Sequence, residues 1–222
     1  PYIYTNLRLE DGATVAAKLM LDTGASHSLL LDTDSHKNLS LPENLIRTNL
    51  GRGLGGDING HIGRISKLEF GKFEFDDVIC SWPDRGTFTD VLRKTGRQGT
   101  LGGGVLNRFT VVIDYFNGNL YYRKNRNFHN KFEYNMSGIE VKAVGQKLNH
   151  YLISNIRKGS PASRLDIQIG DQLQMINGHE TSNLTLGELN NFFRTKPGKR
   201  LRLELLRGNE KLVRKLQLER II

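Results

Sequence analysis

Short apolar runs broken by turn residues dominate the chain. Residues 2–9 and 14–21 are rich in strand-forming side chains, with Asp11-Gly12 between them as a hairpin signal. Residues 65–70 and 73–75, joined by Gly71-Lys72, predict a second hairpin, and residues 78–82 a strand that Pro83 ends. Residues 110–115 and 120–123 flank Asn117-Gly118 and predict a third hairpin. Between these, residues 32–50, with Pro42 as a breaker, read as loop with a short helical turn, and residues 84–99 as a polar stretch. After a polar and basic segment, 125–135, in which Phe128 and Phe132 are the anchors, the pattern restarts. Strands are predicted at 139–144, 151–156, 173–176, 201–205 and 212–218, and a helix begins at the capping box Thr185-Leu186-Gly187-Glu188. Pro197-Gly198 stops that helix.

One apolar stretch contains an acid. Leu19-Met20-Leu21 and Ser28-Leu29-Leu30-Leu31 enclose Asp22-Thr23-Gly24-Ala25. A carboxylate carried out of a buried strand on a tight turn is held rigidly and partly desolvated, which prepares it for proton transfer. Other chemistries lack a frame. Gly51-Arg52-Gly53-Leu54-Gly55-Gly56 satisfies the spacing of a dinucleotide loop, but no apolar strand precedes it and no helical period follows. Gly24-Ala25-Ser26-His27-Ser28 approaches a nucleophile elbow, but its fifth residue is serine, and sequence neighbours cannot form a serine–histidine pair. The six histidines show no metal-ligand spacing, and the single cysteine, Cys80, excludes an intrachain disulfide and a cysteine-based metal site. Neither a metal nor an organic cofactor is expected.

Composition adds little beyond this. With 222 residues, 37% hydrophobic and 25% charged, the chain is an ordinary globular protein with room for one large or two small domains. No apolar run is long enough to span a bilayer. The formal net charge of +9 is uneven: residues 1–135 carry +2 and residues 136–222 carry +7. The basic residues are scattered along strands, so a solvated face is expected rather than a nucleic-acid site. The start at Pro1 reads as a processed product or a piece of a longer chain.

Asp22-Thr23-Gly24-Ala25 after Leu19-Met20-Leu21 resembles the active-site motif of aspartic peptidases, in particular the bacterial retropepsin-like branch. The resemblance implies that Asp22 is the catalytic aspartate, that the Thr23 hydroxyl braces the turn and that Gly24 lets the backbone fold back. Thr100-Leu101-Gly102-Gly103-Gly104-Val105-Leu106 resembles the second signature of that family, an apolar residue and glycine packed behind the first loop and followed by a short helix. Three glycines weaken a helix, so a looser support is expected. The glycine-dense stretch implies a flap closing over an extended peptide, with Gly53, Leu54, Gly55, Gly56 and Asp57 at its tip.

Gly159-Ser160-Pro161-Ala162, Ile169-Gly170-Asp171-Gln172-Leu173 and Ile176-Asn177-Gly178 resemble a PDZ domain of the bacterial, protease-associated type. By that resemblance Ser137, Gly138, Ile139 and Glu140 offer backbone N–H groups to a terminal carboxylate, while Leu186, Leu189 and Asn190 line the groove. The partner there is a peptide C-terminus or segment. The expected fold is mainly β: a retropepsin-like lobe over 1–124, a linker over 125–135 and a PDZ-like domain over 136–222.

Aspartic peptidase chemistry needs two facing carboxylates that share a proton, yet Asp-Thr-Gly occurs once. The second aspartate comes either from a homodimer mate or from a missing upstream lobe, this chain then being the second lobe. The expected function is endopeptidase action on protein or peptide substrates, at an extracytoplasmic address in a bacterium. The alternative is a peptide-binding or scaffolding protein with an idle peptidase lobe.

Overall fold

The computed structural model describes residues 1–53 and 56–222, and the chain divides into two compact units, one of Pro1–Phe132 with Ile222 and one of Glu133–Ile221. Among the described residues no helix is long and apolar enough to cross a membrane.

In the first unit, β1 (Tyr2–Arg8) and β2 (Thr14–Leu21) pair antiparallel across the Asp11-Gly12 turn. Alternate positions of β2, Val15, Ala17, Leu19 and Leu21, are buried, which fixes its register because a slip by one residue would turn that set to solvent. The wholly buried β3 (Leu29–Leu31) follows, then β4 (Ile46–Gly53), β5 (Gly56–Phe70) and β6 (Phe73–Pro83), α1 (Thr89–Thr95), β7 (Gly99–Leu101) and the four-residue α2 (Gly103–Leu106). The sheet order is β1-β2-β7-β3-β6-β5-β4, and β1 also pairs with β5 through Leu7 and Leu68, so the sheet curls back on itself. β7 runs between β2, to which it is parallel, and β3, to which it is antiparallel.

The remaining two strands of this unit, β8 (Phe109–Asp114) and β9 (Asn119–Lys124), form a separate hairpin. Its inner side meets a cluster of Phe70, Phe73, Phe75, Phe109, Tyr122 and Phe128, with ring centroids 4.8–6.0 Å apart in tilted and edge arrangements. Its outer side leaves Val112 and Tyr121 exposed, as are Tyr115 and Phe116 at the turn. Cys80 is fully buried on β6, and burial pushes its thiol well above the ordinary range.

Three stretches depart from the sequence reading. Of residues 45–50, expected as loop, 46–50 enter β4, because β5 supplies a backbone ladder that needs no apolar pattern: among the described residues of β4 only Ile46 is a buried hydrophobic residue. The polar stretch 84–99 contains α1, whose Val91 is exposed, so a hydrophobic stripe had little chance to announce it. Residues 125–135 do not stand apart as a linker. Phe128 and Phe132 pack with the first core, whereas Tyr134 and Asn135 belong to the second unit. Two buried guanidiniums hold the segment down. Arg108 donates to the carbonyls of Gly104, Asn127, Asn130 and Lys131 and stacks 3.7 Å from the Phe132 ring, and Arg64 donates to the Phe132 carbonyl. Burial lowers the Arg108 guanidinium to about 10.

The second unit is a sheet of β10 (Ile139–Val144), β11 (His150–Ile156), β12 (Gln172–Ile176), β13 (His179–Glu180), β14 (Arg200–Arg207) and β15 (Glu210–Gln217). The order is β10-β11-β12-β14-β15, with β13 joined only to β12, so β10 lies at a margin. The helix α3 (Leu186–Phe193) starts at the capping box predicted for Thr185 and Glu188, and Leu189 and Phe193 are its buried side chains. Asp171, 2% exposed, receives Arg207 in a two-pronged ion pair (2.8 and 2.9 Å) and the Gln168 N–H at 2.9 Å. Burial works against its charge, yet these donors hold its carboxyl below the usual range.

Leu29 is fully buried within the central strands of the first unit. Leu29→Ala should lower the unfolding free energy of this unit by about 3 kcal/mol, read by the fluorescence of the only tryptophan, Trp82. Leu186→Ala, on the surface of α3, should leave that signal unchanged within about 0.5 kcal/mol.

Candidate functional site

Asp22 emerges where β2 leaves the sheet. Its backbone N–H donates to the Leu101 carbonyl at 3.0 Å, which extends the β2–β7 pairing by one rung past Leu21. Its carboxylate turns back on the loop: Oδ1 accepts the N–H groups of Gly24 (2.9 Å) and Ala25 (3.1 Å), while Oδ2 has no hydrogen-bond partner among the described residues. One oxygen is thus fixed and the other is left for an incoming group. Asp22 is half-buried, and Thr23 and Gly24 are exposed.

The bracing differs from the sequence expectation. Among the described residues the Thr23 hydroxyl has no hydrogen-bond partner, and the carboxylate of Asp22 itself ties the turn. Gly24 does not occupy the left-handed region, so what it contributes is an N–H donor rather than an unusual backbone angle.

Behind this loop lies the segment at the start of α2. The N–H groups of Gly102, Gly103 and Gly104 donate to the carbonyls of Ser28 (3.0 Å), Ala25 (2.7 Å) and His27 (3.0 Å). A Cβ on Gly102 would stand 2.3 Å from the His27 carbonyl oxygen, and one on Gly104 would stand 2.2 Å from Ser28 Oγ and 2.7 Å from its Cα. The three glycines therefore do not loosen the support, as helix propensity alone suggested. They permit backbone-to-backbone contact that no larger residue allows.

His27, two residues beyond Ala25 and set aside above as part of a serine–histidine pair, lies at the site. Its Nε2 is buried without a hydrogen-bond partner among the described residues. Burial lowers the imidazole below its usual value, and the negative charge of Asp22 opposes this only in part. Three other acids of this unit, Asp32, Asp34 and Asp114, are engaged elsewhere. Asp32 is buried and accepts the Asp34 N–H, and Asp34 faces Arg85. Asp114 accepts the N–H groups of Phe116 and Asn117. Of the expected flap tip, Gly53 and Gly56 face each other at the end of the β4–β5 pair and Asp57 stands opposite Arg52 in the backbone register; Leu54 and Gly55 lie outside the described residues.

In the second unit the loop 135–139 does not present the free donors expected of it. The N–H groups of Ser137 and Gly138 donate to Asn135 Oδ1 (3.0 and 3.2 Å), and that of Ile139 donates to Ser137 Oγ (3.0 Å). Ser137, Gly138 and Ile139 are buried, and Glu140 is a strand residue paired with Asn155. The reason is local: asparagine two residues before a pair of N–H groups closes an Asx-type turn on itself. The motif residues buttress this loop. Ala162 N–H donates to the Ser137 carbonyl at 3.0 Å, and Ser160 packs so closely on Gly138 (φ 80°) that a Cβ there would lie 2.0 Å from its Oγ. Of the expected groove residues, Leu186 is exposed, Asn190 half-buried and Leu189 fully buried, so Leu189 belongs to the core rather than to an open wall.

Residues 6–105 match the family model of aspartyl proteases, and residues 130–206 match that of PDZ domains. The chain carries an aspartyl protease-like domain followed by a PDZ domain. Among solved structures it is similar to a retropepsin-like aspartic protease from Rickettsia conorii, with 23% identity over 51% of this chain and 84% of that one and a TM-score of 0.37. It is also similar to the HtrA-type protease AlgW solved with a decapeptide (15% identity, 96% and 74% coverage, TM-score 0.39). The EIAV protease solved with an inhibitor gives 15% identity, 48% and 86% coverage and a TM-score of 0.34. No curated protein matches the chain.

Two expectations follow for the protease-like domain. Gly104→Ala should destabilise it by about 3 kcal/mol in urea titrations followed by Trp82, because the Ser28 backbone leaves the new methyl no room. Because the folded state holds His27 below its unfolded value, the folded state binds fewer protons there. The stability it contributes is complete above the unfolded pKa and falls as pH drops below about 6.5. His27→Gln should flatten that fall between pH 7 and pH 5, measured as the shift of the Trp82 unfolding midpoint.

Proposed function

We propose that the protease-like domain is one lobe of an aspartic endopeptidase and that Asp22 supplies one of its two catalytic carboxylates. The observation that supports this is the asymmetry of Asp22: Oδ1 is pinned by two N–H groups and Oδ2 is open. A second carboxylate facing Oδ2 would share a proton with it, since two like charges at hydrogen-bond distance cannot both ionise. The ionised member then takes a proton from water as its oxygen attacks the peptide carbonyl, and the protonated member donates to the carbonyl oxygen. Collapse of the tetrahedral adduct breaks the C–N bond, with a proton delivered to the departing nitrogen.

The second carboxylate is Asp22 of another copy or the aspartate of a separate lobe. The hairpin of β4 and β5 is the flap in this reading, and the PDZ domain recruits the polypeptide to be cut. The competing reading, a peptide-binding protein with an idle protease-like domain, draws on the single Asp-Thr-Gly motif.

The test is the molar mass of the chain in solution beside cleavage of unfolded casein from pH 3 to pH 7. A dimer that cleaves, and whose Asp22→Asn variant loses at least about 10³-fold in rate, is the expected result for a self-complementing peptidase. A monomer that cleaves only after a second Asp-Thr-Gly lobe is added assigns the other source. A dimer or a complemented pair that cleaves nothing favours the binding protein.

A further inference from the structure

The loop that opens the PDZ domain is filled by its own side chain. Asn135 Oδ1 accepts from the Ser137 N–H (3.0 Å), the Ser137 hydroxyl (2.7 Å) and the Gly138 N–H (3.2 Å), while Asn135 Nδ2 donates to the Ile139 carbonyl at 2.6 Å. The Ser137 hydroxyl in turn accepts the Ile139 N–H. Three consecutive backbone donors, a natural nest for an anionic oxygen, are thus occupied by a neutral amide oxygen and a hydroxyl. The surrounding bonds shut the nest further. Met136 N–H donates to the Phe193 carbonyl at the end of α3 (2.9 Å), and Arg157 N–H donates to the Gly138 carbonyl (2.8 Å). The Arg157 guanidinium reaches the Asn135 carbonyl with Nη1 (3.2 Å), and its Nε and Nη2 are buried without a hydrogen-bond partner among the described residues.

Beside this closed end lies an open one. β10 begins at Ile139, has β11 on one side and occupies the margin of its sheet. Strand addition at a margin needs only backbone donors and acceptors from the guest, whereas capture of a chain terminus needs a free nest. β10 itself carries one acid and one base, Glu140 and Lys142, and the surplus charge of residues 136–222, +7, spread over the unit, favours an acidic guest by long-range attraction.

We propose that this PDZ domain binds an internal, extended and acidic polypeptide segment along β10, and that Asn135 sets this specificity by occupying the place of a terminal carboxylate. A terminal carboxylate would have to displace Asn135 and break four hydrogen bonds before forming its own. An internal segment carries no such charge and leaves the nest intact. The assignment rests on the recruiting role given to the PDZ domain above and is independent of whether the other domain cleaves.

The experiment uses the full chain and two display libraries of random twelve-residue peptides, one ending in a free carboxylate and one embedded between fixed flanks. Each hit is resynthesised as acid and as amide. The expected result is acidic hits from the embedded library whose acid and amide forms bind within about threefold of each other. Asn135→Gly should acquire ligands whose acid form binds at least tenfold better than the amide, and Asn135→Asp, which keeps an oxygen in the nest, should not. The Ser137, Gly138 and Ile139 amides should be protected from hydrogen exchange in the free protein, remain protected when an embedded hit is bound, and lose protection in Asn135→Gly. Wild-type hits that lose tenfold on amidation overturn the proposal and leave recruitment standing. Embedded hits without an excess of acidic residues overturn the choice of guest, and the absence of any hit overturns both the specificity and the recruiting role.

Discussion

The contact between two stretches of backbone, 25–28 and 102–104, is what the protease-like domain is arranged around. Three N–H groups of glycines meet three carbonyls at 2.7–3.0 Å, and the sheet order follows from bringing them together. β7 has to pass between β2 and β3 to deliver Gly102, and in doing so it receives the Asp22 N–H on Leu101. The position of the catalytic candidate is thus defined by main-chain hydrogen bonds on both sides, with side-chain packing of Leu19, Leu29 and Leu101 behind them. Main-chain geometry of this kind has no rotamers to lose, which is why an aspartate can be aimed from a loop whose outer residues are exposed.

A similar economy operates in the PDZ domain with the opposite outcome. There too a short loop is held from behind by a turn, Ser160 and Ala162 against Ser137 and Gly138, and there too consecutive N–H groups converge on one oxygen. In the first loop the converging donors fix one oxygen of a carboxylate and leave its twin open. In the second they are satisfied entirely from within. The two loops show that convergence of donors by itself says little about binding until the owner of the acceptor is known.

Much of this was legible in the residues. Asp22-Thr23-Gly24-Ala25 between apolar runs, the capping box at Thr185 and the alternating strands of the second half each rest on local patterns, and local patterns survive in a sequence. What was hidden depends on partners far along the chain. β4 is a strand because β5 lies beside it, not because of its own apolar residues. Gly102, Gly103 and Gly104 read as helix breakers until the His27 and Ser28 backbones are placed against them. Residues 125–135 read as a linker because the two arginines that bind them, Arg64 and Arg108, lie 68 and 19 residues from the Phe132 and Asn127 carbonyls that they reach. Asn135 is the exception: its spacing to Ser137 and Gly138 is local and signals an Asx turn on its own, but the expectation of an open nest left no place for it.

Cys80 gives the protease-like domain a clock. The thiol lies fully inside the sheet, and burial holds it in its protonated, unreactive form. An alkylating reagent can meet it as a thiolate only during an excursion that parts β6 from its neighbours. With one cysteine in the chain, the pace of its modification counts those excursions directly, and any molecule that braces the sheet, whether a second lobe or a bound peptide, slows the count.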